Sequence, residues 1–129
     1  MKDILSLEEI RMLVDKFYGR IQKDDLLGPI FNKLLRDRWP EHLEKMYRFW
    51  QTVLLDVHSY HGSPFPPHAN LPVDKKHFDH WLDIFIQTVD ENFTGKTAEE
   101  AKWRAQKMAE MFHHKIDYYR QHPEKRMLH

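Results

Sequence analysis

The chain has no cysteine. That excludes disulfides, thiolate zinc sites and covalent attachment of a cofactor through a Cys-x-x-Cys-His motif. Its four glycines are scattered, so no glycine-rich loop stands before a helix to cradle a phosphate. Neither sign of charge is in excess, with 20 basic side chains against 20 acidic ones. Such a balance carries no electrostatic footprint for nucleic acid or an anionic membrane. No apolar run approaches the length that spans a bilayer, and the start, Met1 to Glu9, lacks the apolar stretch of a signal peptide. The expected compartment is therefore the cytoplasm. Strand alternation, internal repeats and low-complexity tracts are also missing. What is present is a hydrophobic content of 41% with 13% aromatic residues, too much for a disordered chain. A length of 129 residues suits one domain, expected over 1–129, that buries roughly two-thirds of its unfolded surface.

Helical periodicity runs through most of the chain. Ser6-Leu-Glu-Glu9 has the form of a capping box. Beyond it Ile10, Leu13, Val14, Phe17 and Ile21 repeat at helical spacing, predicting a helix from 7 to about 24. Tyr18 shares that apolar face, so its hydroxyl needs a partner or a wet cavity. Gly28-Pro29 breaks the pattern, and Ile30-Phe31-Asn32 begins a short turn or single-turn helix. A new start at Asp37 to Pro40 leads into a helix with Leu43, Met46, Tyr47, Trp50, Val53, Leu54 and Val57 inward and His42 at the edge of the stripe. Asp74 can cap a helix carrying Phe78, Trp81, Leu82, Phe85, Val89 and Phe93. Thr97-Ala-Glu-Glu100 reads as a second capping box, opening a long helix through Ala101, Ala105, Met108, Phe112, Ile116 and Tyr119. His122-Pro123 closes it, and about 123–129 is expected to be a flexible tail. The fold class is all-α, with four main helices.

Between the second and third of these helices lies His61-Gly-Ser-Pro-Phe-Pro-Pro-His68-Ala-Asn-Leu-Pro72, which holds four of the seven prolines. Each proline removes an amide donor and clashes with the preceding turn, so this stretch cannot continue a helix. A stiff segment between helices is a place to hold one side chain still, and the side chain at its centre is His68. Other metal chemistry finds less support. His58-x-x-His61 and His77-x-x-His80 are pairs at one-turn spacing, but zinc or di-iron sites need three or four ligands from at least two elements. No helix core carries the Glu-x-x-His pairs of di-iron bundles. His77 and His80 flank their helix's buried stripe and read as solvated. No Gly-x-Ser-x-Gly turn points to a nucleophilic serine. A haem suits the residues better: aromatic inner faces wall a flat apolar macrocycle while one neutral imidazole, His68, holds the iron. Aromatic stripes alone are compatible with plain core. The added features are the rigid His68 loop and three polar groups, Tyr18, His42 and Trp81, on apolar faces.

The ordered set Phe17-Tyr18, Gly28-Pro-Ile-Phe31-Asn, Glu41-His42, Phe49-Trp50, His68-x-x-Leu71-Pro72 and Trp81-Leu-x-x-Phe85 resembles the truncated haemoglobins, specifically their third group. The likeness spans most of the chain, and the absence of Gly-Gly pairs agrees with that group. It implies a two-over-two sandwich of helices enclosing haem b. It also implies His68 as proximal iron ligand and Tyr18, His42, Met46 and Trp81 as the distal ligand-binding set. Phe31 would be wedged against the haem, Lys45 would pair with a propionate, and Leu71, Phe78 and Trp81 would complete the wall. The activity implied is reversible binding of O2, NO or CO at ferrous iron, by a monomer. An alternative is an enzyme on the same scaffold, an NO dioxygenase or peroxidase-like catalyst, for which a separate reductase would be required. The remaining alternative is a haem-free helical module whose aromatics are only core.

Overall fold

The structure is a computed structural model and describes residues 1–62 and 71–122. His68, at the centre of the proline-rich stretch, and the expected tail lie outside the described residues. Among those described, the chain forms α1 (Leu7–Lys23), α2 (Gly28–Leu35), a single 3-10 turn (Arg36–Arg38), α3 (Trp39–Leu55), α4 (Lys75–Asn92) and α5 (Lys96–Gln121). The four long helices expected are there, and the anticipated single turn after Gly28 is an eight-residue helix with Pro29 in its first turn. The one β-contact among the described residues is an isolated bridge between Lys2 and Phe93. No described helix is long and apolar enough to cross a membrane.

Pairing follows from the stripes. α1 packs against α2, α3 and α4, and α4 packs against α5, so the α1–α3 pair is stacked on the α4–α5 pair in the two-over-two sandwich expected. Ile10, Leu13, Val14, Phe17 and Ile21 of α1 are all buried, and with Phe85 and Val89 of α4 they form the main core. At its centre the Phe85 ring stacks with both Trp50, at 5.0 Å, and Trp81, at 5.7 Å, while Phe17 meets it edge-on at 5.2 Å. Along α5 the small residues Ala98, Ala101, Ala105 and Ala109 are buried against neighbouring helices. α3 behaves differently. Only Trp50 is fully buried there, and His42, Met46 and Phe49 are half-buried because that face lines a cavity. Tyr47 is tied outward, donating its hydroxyl to Asp15 of α1, and Val57 lies beyond the helix and exposed.

Both expected capping boxes are corrected. At α1, Ser6 does not accept from the first turn. Its hydroxyl donates to Glu9 Oε1 at 2.9 Å, and the same oxygen accepts the Leu5 amide at 3.1 Å. At α5 the helix begins one residue before Thr97, with Gly95 as its N-cap at φ +127°. The free amides of Thr97 and Ala98 donate instead to the carboxylate of Asp3, at 3.0 and 2.8 Å. The Thr94 amide donates to Lys2 O at 3.1 Å, so the first residues clip onto the α4–α5 corner. A Cβ on Gly95 would stand 2.6 Å from the Asp3 carboxyl, and glycine alone fits both that approach and the backbone angle.

Candidate functional site

Tyr18 comes from α1, Phe31 from α2, His42, Lys45 and Met46 from α3, Leu71 from the segment before α4, and Phe78 and Trp81 from α4. All eight line one cavity of about 650 Å³. The ninth residue singled out by the sequence, His68, is outside the described residues. Side chains separated by up to 63 positions therefore converge on a single space. Helical spacing brings His42 and Met46 to one face of α3, one turn apart, and Phe78 and Trp81 to one face of α4.

Aromatic rings are prominent in the walls. Phe31, Phe49, Trp50, Phe78, Trp81 and Phe112 all contribute. On one side Tyr18 and His42 meet edge-on with ring centroids 4.9 Å apart, and Phe31 lies 6.2 Å from the Tyr18 ring. Tyr18 is 6% exposed. Burial pushes its phenol above the ordinary value of 10.0, so it stays protonated and able to donate across the neutral range. The charged side chains of the lining are more often basic than acidic and are partly paired. Lys45 reaches Glu41 at 3.6 Å, Arg48 reaches Glu44 at 3.5 Å, and Arg38 joins the lining. The space thus combines flat apolar walls, a cluster of polar side chains inside and basic groups in the lining. It suits a flat apolar ligand with an acidic end.

Several residues that shape the site have no signal in the helical periodicity. Trp39 stands behind the Tyr18–His42 pair, 5.8 Å from each ring, and stacks on Phe31 at 6.3 Å. Its indole donates to Asn32 Oδ1 at 3.1 Å, which locks α2 to the start of α3. Its place directly before Pro40 in a first helical turn is the one cue available. Tyr60 lines the cavity from beyond α3, edge-on to Phe49 at 5.3 Å. Thr52 anchors that segment, its Oγ1 accepting the Ser59 and Tyr60 amides at 3.2 and 3.1 Å.

The expectation of a solvated ring is overturned for His77, while the His80 side chain keeps 40% of its surface exposed. His77 is buried, lines the cavity, and accepts the Asp74 amide on Nδ1 at 2.9 Å. Burial foremost, with Lys76 and Arg120 nearby, lowers its pKa below the usual value. The neutral ring with Nδ1 accepting carries its proton on Nε2. His80 Nε2 lies 2.6 Å from Asp24 Oδ1, joining α4 to the α1–α2 corner. Among the described residues no three His, Asp or Glu side chains group as a metal site.

The chain matches the family model of bacterial-like globins over residues 3–117. It is 31% identical over 124 residues to the group 3 truncated hemoglobin ctb of Campylobacter jejuni, a match covering 93% of this chain and 98% of that protein. The crystal structure of the group III truncated hemoglobin from Campylobacter jejuni aligns with a TM-score of 0.82, covering 90% of this chain and 95% of that one at 31% identity. A cavity walled by all five helices, with the sequence-marked residues around it, and these likenesses over nearly the whole length lead to one assignment: the chain belongs to the bacterial-like globins, among the group III truncated haemoglobins.

Proposed function

We propose that the protein binds one non-covalent haem b in this cavity and takes up O2, NO or CO at its ferrous iron. The observation that carries the reading is the convergence of Tyr18, Phe31, His42, Lys45, Met46, Leu71, Phe78 and Trp81 on one space. Its volume of about 650 Å³ falls in the range of cofactor cavities. Phe31, Phe78 and Leu71 are suited to pack on the macrocycle, and Lys45 is suited to a propionate. The iron ligand is assigned to His68 from its place in the His68-x-x-Leu71-Pro72 motif that resembles the family's proximal site. When bound, haem supplies an iron that carries a diatomic ligand. Tyr18, His42 and Trp81 supply the hydrogen-bond donors around that ligand, and Met46 keeps one side of it apolar. The protein is taken to act as a monomer in the cytoplasm, and any turnover of NO or peroxide would draw electrons from a separate reductase.

Absorption spectra of the purified protein, ferric and ferrous, test the reading, with haem added to the apo form. A Soret band is expected, and His68→Ala should lose the histidine-ligated spectrum. Haem held at ~1,000 times its dissociation constant adds roughly 4 kcal/mol to stability, so the apo form should melt lower. Failure to take up added haem would overturn the reading. NO consumption with a reductant then distinguishes a carrier from an enzyme.

A further inference from the structure

Four rings meet at one corner of the cavity. Trp39 lies edge-on to Tyr18 and to His42, 5.8 Å from each, and stacks on Phe31 at 6.3 Å. Tyr18 in turn meets His42 at 4.9 Å and Phe31 at 6.2 Å. Tyr18, His42 and Phe31 line the cavity, whereas Trp39 stands outside the lining and touches all three. The indole is itself anchored. Its Nε1 donates to Asn32 Oδ1 at 3.1 Å, and Asn32 Nδ2 donates to Gln22 O, also at 3.1 Å. Gln22 lies one turn after Tyr18, so one amide side chain ties α1, α2 and the start of α3 together. The link it spans is a single 3-10 turn entered at Arg36 with φ +50°. A non-glycine residue at such an angle is held by its surroundings rather than by its own preference.

We infer that Trp39 is a positioning residue for Tyr18 and His42, two of the donors around a bound diatomic ligand. The inference rests on the haem reading above. A donor is effective only while its rotamer is held, and neighbours that never touch the ligand do the holding by packing. Without the indole, Tyr18 and His42 lose a shared wall, and each ring gains rotamers that turn its donor away. The C–O stretching band of the CO-bound ferrous protein reads this directly. Its frequency follows the donors near the CO oxygen, and its width follows how many arrangements they adopt. Trp39→Ala should split or broaden that band. It should also speed O2 release several-fold, by less than loss of the Tyr18 hydroxyl itself, with CO release nearly unchanged. Trp39→Phe, which restores a ring but not the indole donor, should fall between. Asn32→Ala changes an exposed residue outside the lining and removes only the anchor. It should displace the band in the same direction, and with Trp39→Phe it decides the matter where Trp39→Ala takes up no haem. In a Tyr18→Phe, His42→Leu background Trp39→Ala should add nothing further, because the groups it positions are gone. Asp3→Ala is the control for general destabilisation. It unties the Thr97 and Ala98 amides, all three residues lying outside the lining, and should leave band and rates as in the wild type. An unchanged band in Trp39→Ala, or in both substitute variants where that protein holds no haem, overturns the inference. Equal changes in Asp3→Ala, or a full Trp39 effect in the doubly changed background, overturn it too. Each of these results leaves the haem reading intact, whereas a wild-type protein that takes up no haem overturns both.

Discussion

Replacing Tyr18 by Phe removes one oxygen and leaves the packing. The ring sits edge-on to Phe17 at 4.8 Å and to His42 at 4.9 Å, and both contacts survive the change. What disappears is a buried donor. Bound O2 carries partial negative charge on its outer atom, so a nearby O–H slows its release; CO carries much less. A hydrogen bond to a charged group is worth about 1.5–3 kcal/mol, or roughly ten- to a hundredfold in a dissociation rate if fully expressed. Here the lower end is expected, because His42 is in ring contact with Tyr18 and can take over part of the role. Stopped-flow release of O2 from the ferrous protein should speed up by at least several-fold (on the order of tenfold), with a smaller change for CO. Because burial raises the phenol above its ordinary value, the wild-type rate should carry no tyrosine titration through neutral and mildly alkaline pH. The double change with His42→Leu should fall short of the sum of the singles. Equal acceleration for O2 and CO, or none for O2, would refute the reasoning and leave Tyr18 as packing alone.

Other outcomes follow from the same contacts. Asp24 accepts the Leu26 and Leu27 amides at 3.0 and 2.9 Å and meets His80. Burial alone would raise its pKa, but the His80 contact and the two amides outweigh it and hold the carboxyl below the ordinary 3.8. Its contribution is therefore present above that value and is lost as pH falls through the lower folded one. Asp24→Ala, which removes the acceptor for both amides and for His80, should cost about 1–2 kcal/mol in urea unfolding at pH 7, with a smaller gap in strong acid; an identical gap at both would count against the pairing. Gly95→Ala puts a Cβ into the Asp3 carboxyl at a positive φ. It should cost about 1–3 kcal/mol and lower Tm by several degrees, and an unaltered Tm would contradict that geometry. Phe85→Ala removes a ring that stacks with two indoles and should cost about 3–5 kcal/mol. Trp50 and Trp81 fluorescence should change with it, and a loss under about 1 kcal/mol would mean the site collapses freely.

The parts of this architecture that repeat locally are legible in the sequence. The stripe from Ile10 to Ile21 defines α1 because helical spacing leaves one face to bury. Tyr18, His42 and Trp81, which line the cavity, could be picked out because they are polar groups on largely apolar faces. Contacts between distant residues were not legible. Thr97 and Ser6 look like caps because a local hydroxyl is a good acceptor, yet at α5 a carboxylate from residue 3 takes the amides, which no local pattern encodes. His80 reads as solvated from its own helix, and its partner Asp24 lies 56 positions earlier. Tyr60 reaches the cavity from irregular chain held by Thr52, where no periodicity exists to mark it.

The clip between Asp3 and the start of α5 bears on how the protein is made. Its two hydrogen bonds join residues 94 and 95 positions apart, so they close only after α1 through α4 have been synthesised and α5 has begun to emerge. At roughly 5–20 residues per second on the ribosome, Asp3 waits seconds for its partner amides. Until then the longest helix lacks its N-terminal acceptor, which makes docking of the first residues a late step that reports completion of the fold. An affinity tag fused ahead of Met1 is therefore attached at a structural joint. A cleavable tag at the opposite end leaves the latch alone, and protection of the Thr97 and Ala98 amides from exchange shows directly whether a given preparation has closed it.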